Sequence, residues 1–338
     1  MKKTKLIYNP HAGSKKHIFG TSNPMLLQDI YTLLYKYEIE FDASGTTKPG
    51  DARILAKEAS QQGYDLVIVA GGDGTVGEAA NGLIGSNTAL GILPLGTFMN
   101  VARMLSIPFN LESAMMIIKI GNVRPIDVGE ILYLQEEQVD GKVARETNYF
   151  LESAGIGLEA DFQKFYLDFN QHRWQSTIQL IEDMRLFYKM PLTIELDENR
   201  IIETKSHLVM VSNGPYMGAG LSVAPSSKLN DHTLTVTTYK MSKKELLWHL
   251  VKTKIASRGL NSNHITYAFK NNPDIKTYTS KSVKVSAQRS RPIDADARIF
   301  GQTPISITVR PSALKVIVGF TESKKESALL EKKIYIRP

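Results

Sequence analysis

The chain has 338 residues, enough for about two domains at roughly 150 residues each, and its 42% hydrophobic content lets each bury a core, which excludes disorder as the dominant state. Cysteine is absent, so disulfides, thiolate zinc sites and cysteine nucleophiles are excluded together, as in a reducing compartment. The balance of 41 Lys+Arg against 34 Asp+Glu, net +7, suits anionic substrates or a lipid surface and falls short of a nucleic-acid coat.

The first 128 residues alternate strand and helix patterns. Lys5–Tyr8 is a short apolar strand ending in Asn9-Pro10, Met25–Tyr37 and Asp51–Gln62 read as helices, and Asp65–Ala70 is a continuous apolar strand of the kind covered on both faces. Gly71–Thr75 breaks that strand, and a further helix runs to about Leu83. Ala89–Leu93 is the next buried strand, Leu111–Ile120 is helical, and Arg124–Asp127 begins an extended segment. Strands alternating with helices over short loops predict a parallel α/β domain. After Val128 strand patterns dominate: Glu130–Gln135, Thr147–Leu151, Leu192–Leu196, His207–Val211, Leu234–Tyr239, Ser282–Ser286, Ser306–Arg310 and Leu314–Val318. These predict an antiparallel, β-rich, sandwich-like domain. Two helices interrupt it: Glu159–Lys189, and Lys243–Ser257, which opens on the Ser242/Glu245 capping box. The expected division is 1–128, 129–320 and a tail, 321–338, packing back on the first domain.

No apolar run approaches the roughly 18–20 residues needed to span a bilayer. Met1–Gly20 holds five lysines and no long apolar stretch, so no secretory signal is read there. The expected protein is cytoplasmic.

The sharpest chemical signal is Gly71-Gly72-Asp73-Gly74-Thr75, between a buried strand and a helix. Glycines there let the backbone turn tightly and approach a ligand. A helix start presents N–H groups and a positive dipole end, which suit phosphate. Thr75 and Glu78 have capping-box spacing, so Thr75 is expected to cap the helix. Asp73 stands where a carboxylate could hold Mg²⁺ against the phosphate. The plainer reading is a Gly-rich turn, which would need neither the acid nor so many glycines. Three further loops follow parallel strands: Asn9-Pro10-His11-Ala12-Gly13-Ser14 with Lys15 and Lys16, Thr46-Thr47, and Leu95-Gly96-Thr97-Phe98-Met99-Asn100. Such loops lie at the strand ends where α/β folds bind ligands.

In order, NPxxG, GGDGT after an apolar strand and GTxxNxAR resemble the diacylglycerol kinase catalytic-domain superfamily, which also holds sphingosine and ceramide kinases. Ile126-Asp127-Val128-Gly129, Ser153–Leu158, Ala224-Pro225 with Lys228–Asp231, and Pro311–Val316 extend the resemblance from about Lys5 to Phe320. It implies a two-domain kinase that binds ATP in the α/β domain and takes a lipid alcohol into the cleft against the β domain. By that resemblance Asn9, Pro10, His11, Ala12, Gly13, Thr47, Gly72, Asp73, Gly74, Thr75, Val76, Gly77, Glu78 and Thr97 match nucleotide-binding positions. Lys228, Asp231 and Thr233 match a structural Mg²⁺ site, and Asp127 an acidic residue between that ion and the active site. The implied cofactors are ATP and Mg²⁺.

Three departures stand out. The family's GTxND is GTFMN, so Asn100 replaces an Asp and Met99 an Asn; LxDG is LNDH, with His232 for Gly; and the Asp-Gly-Glu that carries the proposed general base reads Ile293-Asp294-Ala295-Asp296-Ala297-Arg298. One register sets Asp296 at the Glu. The other, counted back from Gly301 and Pro304, sets Asp296 at the Asp and Arg298 at the Glu. Asp296 is the first candidate for the base and Asp294 the second, against a reading of both as solvated turn carboxylates. Arg298 could instead clamp phosphate.

Weaker features have plain readings beside them. Gly155–Ala160 fits G-x-G-x-x-A, but in a β-rich context. The basic amphipathic helix 243–257 could lie on an anionic membrane or pack on the β domain. Phe162, Phe165, Tyr166 and Phe169 could line an acyl pocket or form core. The histidines show no metal-ligand spacing. The expected partners are ATP, a lipid alcohol and, transiently, an anionic membrane surface, peripheral at the inner face; no nucleic acid; and a second copy through an exposed strand edge. Alternatives are an NAD kinase-like enzyme, which shares GGDGT, and a catalytically weakened nucleotide- or lipid-binding protein.

Overall fold

The computed structural model describes residues 2–12, 27–96, 98–133, 148–157, 189–217, 221–222, 224, 226–242, 245, 272–296 and 298–320. Gly13, Lys15, Lys16, Thr97, Leu158, Pro225, the helix expected at 159–189 up to residue 188 with its aromatic residues, the helix expected at 243–257 apart from Glu245, and the tail 321–338 lie outside the described residues. Within them the chain forms two units, one up to Ile126 and again from Ala313, the other Asp127–Ser312.

The first unit runs β1 (Thr4–Tyr8), α1 (Leu27–Lys36), β2 (Asp42–Gly45), α2 (Asp51–Gln61), β3 (Leu66–Gly71), α3 (Asp73–Leu83), β4 (Ala89–Pro94), α4 (Asn100–Met104) and α5 (Leu111–Ile120). Its strands lie in the order β2-β1-β3-β4, all parallel. Every residue of β3 and β4 is buried, as their unbroken apolar runs require. Ala52, Ala56 and Ala59 make the buried face of α2 a stripe of small side chains. Gly82 of α3 meets it so closely that a Cβ there would lie 2.3 Å from the Arg53 carbonyl oxygen. α5 begins and ends where its sequence says: the Asn110 side chain accepts from Ser113 N–H, and Gly121 closes the helix in the left-handed region at φ 71°.

β5 (Val123–Tyr133) carries the chain out of the first unit. The second unit adds β6 (Asn148–Phe150), β7 (Ser153–Gly157), β8 (Met190–Leu196), β9 (Arg200–Ser206), β10 (Leu208–Ser212), β11 (Tyr216–Met217), β12 (Leu221–Ser222), β13 (Leu234–Tyr239), β14 (Ile275–Ser280), β15 (Ser282–Ala287), β16 (Pro292–Ala295) and β17 (Arg298–Gln302). β18 (Ile305–Ile317) then leads back to the first unit. One antiparallel sheet has the order β14-β13-β10-β7-β16-β17. A second joins β9, β8, β15 and the first half of β18, also antiparallel. Ile156, Val209, Val236 and Ile293 from one sheet share a core with Ile194, Val283, Val285 and Ile307 from the other. That is the packing of a β-sandwich. The chain is therefore a two-domain α/β protein of the predicted class.

Several predicted elements come out differently. The two strands expected at 306–310 and 314–318 are one, β18, continuous through Pro311. Its end belongs with the first unit: Val316 pairs in parallel with Leu90, Gly85 N–H donates to Ala313 C=O at 2.9 Å, and Gly319 N–H to Leu105 C=O at 2.8 Å. The expected second domain, 129–320, had included this segment. The Ser242/Glu245 box is formed as expected, each peptide N–H bonding the other's side chain at 2.9 and 3.3 Å.

Candidate active site

β3 ends at Gly71, Gly72 stands at the helix cap in extended backbone, and α3 is already wound from Asp73. Thr75 is therefore inside the first turn and does not cap; no side chain caps α3. Its Oγ1 instead accepts from Asn9 Nδ2 at 3.4 Å. Asn9 is held in turn, its N–H donating to Ala70 C=O at 3.0 Å and its Oδ1 accepting from His11 N–H at 2.9 Å. The Asn9–Ala12 turn, with Pro10 at its exposed corner, is thus seated against the start of α3. The loop after β4 arrives on the other side. A Cβ on Gly96 would lie 2.7 Å from both Gly72 Cα and Met99 Sδ, so the two loops touch backbone to backbone and only glycine fits.

Within α3, Val76 and Glu78 are buried on the packing side, whereas Gly74 and Gly77 face open space, with nothing within 4 Å of a built Cβ. Asp73 turns away from that opening. Its carboxylate accepts N–H groups of Met99, Asn100 and Val101 at the start of α4, and burial, opposed by those amides, pushes its pKa above the ordinary carboxylate value. Asp73 thus braces the loop that carries Met99 and Asn100, both nearly inaccessible. Thr47 is engaged next door: its N–H and Oγ1 donate to Asp51 Oδ2 at 2.8 and 2.6 Å, which draws the Asp51 pKa down. The structure brings together Asn9, Gly72, Asp73, Thr75, Gly96 and Asn100 at the strand ends, the position expected of a ligand site in a parallel sheet.

In the second unit Asp127, 1% exposed, is a hub. Its carboxylate accepts His232 N–H at 2.7 Å and Ser312 N–H at 2.8 Å, and lies 2.9 Å from His232 Nδ1. Its peptide N–H donates to Leu229 C=O at 2.6 Å. Asn213 Nδ2 donates to the Asp127 and Leu151 carbonyls at 3.0 and 3.1 Å. Leu151, Glu152 and Ser153 N–H groups in turn donate to the Asp296 carboxylate at 2.6, 2.9 and 3.3 Å. Asp296 sits at the β16–β17 turn with φ 44°. Asp294 is buried inside β16 opposite Gly155, and Arg298 begins β17. Sequence reading missed Asn213 and Ser312. The turn signal Asn213-Gly214-Pro215 marked the first, and nothing local marks the second.

Asp231 is exposed, with Oδ2 accepting Lys228 N–H at 3.1 Å and Oδ1 accepting Thr233 N–H and Oγ1 at 3.1 and 3.0 Å. A single exposed carboxylate is the hard oxygen donor that Mg²⁺ takes while keeping most of its waters, and here both its oxygens also accept hydrogen bonds from the loop itself. Among the described residues no group of three or more His, Asp or Glu side chains gathers to hold a metal. An open cavity of about 580 Å³ beside β8 and β9 is lined by Leu192, Thr204 and Lys240 among others and by none of the predicted site residues.

Glycine-rich loops at the ends of a parallel sheet, followed by a β-sandwich, define a two-domain class, and family comparison identifies it. Residues 3–131 match the diacylglycerol kinase catalytic domain, and residues 153–318 the YegS C-terminal NAD kinase beta sandwich-like domain. The chain belongs to the diacylglycerol kinase catalytic-domain superfamily. It is 28% identical over 310 residues to a diacylglycerol kinase of Bacillus subtilis (strain 168), spanning 90% of this chain and 92% of the relative. It is 26% identical over 307 residues to one of Staphylococcus aureus (strain Newman), spanning 90% and 88%. The crystal structure of a diacylglycerol kinase from Bacillus anthracis str. Sterne superposes with a TM-score of 0.66 at 24% identity, over 94% of this chain and 97% of that one, a likeness of fold.

Proposed function

We propose that this chain is an ATP- and Mg²⁺-dependent lipid kinase that phosphorylates diacylglycerol or a related lipid alcohol. The observation that carries the reading is the convergence of the Asn9, Gly72–Thr75 and Gly96–Asn100 loops on the open start of α3, within the segment matching the catalytic domain. The first-turn amides and the positive end of the α3 dipole would receive the terminal phosphates. Gly74 and Gly77 keep that approach clear, Asn9 and Asp73 hold the flanking loops in place, and Thr47 steadies the neighbouring loop. Mg²⁺ supplies charge neutralisation between the phosphates when bound.

The acceptor hydroxyl oxygen forms a bond to the γ-phosphorus, the bond to the ADP oxygen breaks, and the hydroxyl proton passes to a protein base. Of the two candidate carboxylates Asp296 is favoured, because it lies at a turn and is partly accessible, while Asp294 is enclosed in a strand. Peripheral contact with an anionic membrane belongs to the same reading, since the acceptor is a lipid. No helix among the described residues is long and apolar enough to cross a membrane.

The test is transfer of label from γ-labelled ATP to a panel of lipid alcohols presented in anionic vesicles, with NAD as a separate acceptor, since the second domain carries an NAD kinase-like name. Labelled lipid that disappears in Asp296→Asn, with ATP binding retained, is the expected result. Label on NAD alone refutes the lipid reading, and ATP binding without transfer to any acceptor supports a weakened binding protein.

A further inference from the structure

The loop at 228–233 departs from its family at His232, where the resemblance expects glycine, and the departure is structurally specific. His232 has φ 59°, in the left-handed region that favours glycine and disfavours a side chain. Its ring nonetheless returns an interaction that glycine cannot make, Nδ1 lying 2.9 Å from Asp127 Oδ1 while its own N–H donates to Oδ2 at 2.7 Å. One residue therefore grips both oxygens of a carboxylate that is 1% exposed. Ser312 N–H adds a third bond at 2.8 Å from the far end of the unit. The main chain is stitched in parallel, Asp127 N–H donating to Leu229 C=O at 2.6 Å. Asp231 is closed on its own loop through Lys228 and Thr233.

We infer that His232 fastens this loop to Asp127 with protein atoms alone, so that the second unit keeps its fold without a divalent cation at Asp231. A cation there becomes dispensable to the fold, because the exposed carboxylate is already held by its own loop's donors. With glycine at 232 the ring contact would vanish, and the loop would rest on the peptide bonds and on whatever ion bridges Asp231 to its surroundings. The consequence reaches Asp296 by a continuous path, because Asn213 ties the Asp127 carbonyl to Leu151, whose N–H holds the Asp296 carboxylate. The inference rests on the cation reading of the 228–233 loop and is independent of kinase activity.

The test is thermal unfolding of the nucleotide-free full chain, stripped with chelator, with and without added Mg²⁺, for the wild type, His232→Gly and His232→Gly/Asp231→Asn. The expected wild-type midpoint is the same in both conditions. His232→Gly is expected to fall by several degrees in chelator and to recover with Mg²⁺, and the double variant not to recover. A wild-type midpoint that drops on chelation as far as that of His232→Gly, or a His232→Gly protein indifferent to Mg²⁺ and as stable as wild type, overturns the inference. Should His232→Gly not fold, amide exchange across 227–234 of the wild type decides it. Protection unchanged by chelation supports the inference, and protection lost on chelation overturns it.

Discussion

Gly74→Ala separates the fold of α3 from its use. Gly74 lies in the first turn of α3, its φ is not in the positive range, and a Cβ built there meets nothing within 4 Å. Inside a helix, glycine is about 0.8–1.0 kcal/mol less favourable than alanine, so the substitution should stabilise the first unit. At about 2–4 °C per kcal/mol for a domain of this order of size, the midpoint should rise by about 2–4 °C. On the proposed function, phosphate would enter that same open space to reach the amides of residues 72–75. A methyl group there would weaken one or two hydrogen bonds to charged oxygens worth about 1.5–3 kcal/mol each, and at about 1.4 kcal/mol per tenfold the ATP dissociation constant should rise by about 10- to 100-fold. Gly96→Ala provides the contrast. Its Cβ would lie 2.7 Å from Gly72 Cα, which is backbone, and 2.7 Å from Met99 Sδ. Overpacking of that kind costs about 1–3 kcal/mol, so both stability and ATP binding should fall. Scanning fluorimetry and calorimetric titration with ATP–Mg²⁺ read the two quantities on each protein. A Gly74→Ala variant that is stabilised and binds ATP like wild type would show that phosphate does not rest on these amides.

Three further perturbations have defined outcomes. Burial raises the Asp73 carboxyl above 3.8, so ionising it costs stability: that contribution is present below the unfolded pKa and lost as pH rises through the folded value. Asp73→Asn has a single acceptor for the Met99, Asn100 and Val101 amides and should lose stability overall, but by least at neutral pH, the deficit growing toward about pH 4; a pH-independent gap in melting temperature would contradict this. Arg310 Nε lies 2.6 Å from Glu130 Oε2, and the Glu130 side chain is 5% exposed; Arg310→Met should cost about 1.5–3 kcal/mol in denaturant unfolding, with part recovered by adding Glu130→Gln. A Cβ on Gly129 would sit 2.0 Å from the fully buried Phe150 ring, so Gly129→Ala should lose about 3 kcal/mol and Phe150→Leu should restore a measurable share of it.

Much of the first unit was legible because its signals are local. β3 and β4 are unbroken apolar runs of six residues bounded by glycine or polar residues, and a strand covered on both faces leaves that pattern. α5 is delimited by Asn110 and Gly121, whose caps act within one turn. The second unit was less readable. β7 is Ser-Ala-Gly-Ile-Gly, with a single β-branched residue, and becomes a strand because β10 and β16 flank it. The Asp127 site joins residues 105 and 185 positions apart, a pairing no short window contains.

The sequence by itself determined the alternation of strands and helices from β1 to α5, the parallel-then-antiparallel architecture and the loops that gather at the ends of β1, β3 and β4. Periodicity of 2 or 3.6 and the backbone demands of glycine act over a few residues, so they can be read in a line. Only the tertiary structure decided where individual side chains go: Asp73 to the start of α4 and not to the opening, Thr75 to Asn9 and not to a cap, Asp296 to the peptides of 151–153, and Ala313–Phe320 back to the first unit. A carboxylate or hydroxyl bonds whichever donor packing brings within about 3 Å, and which donor that is depends on segments far away in the chain.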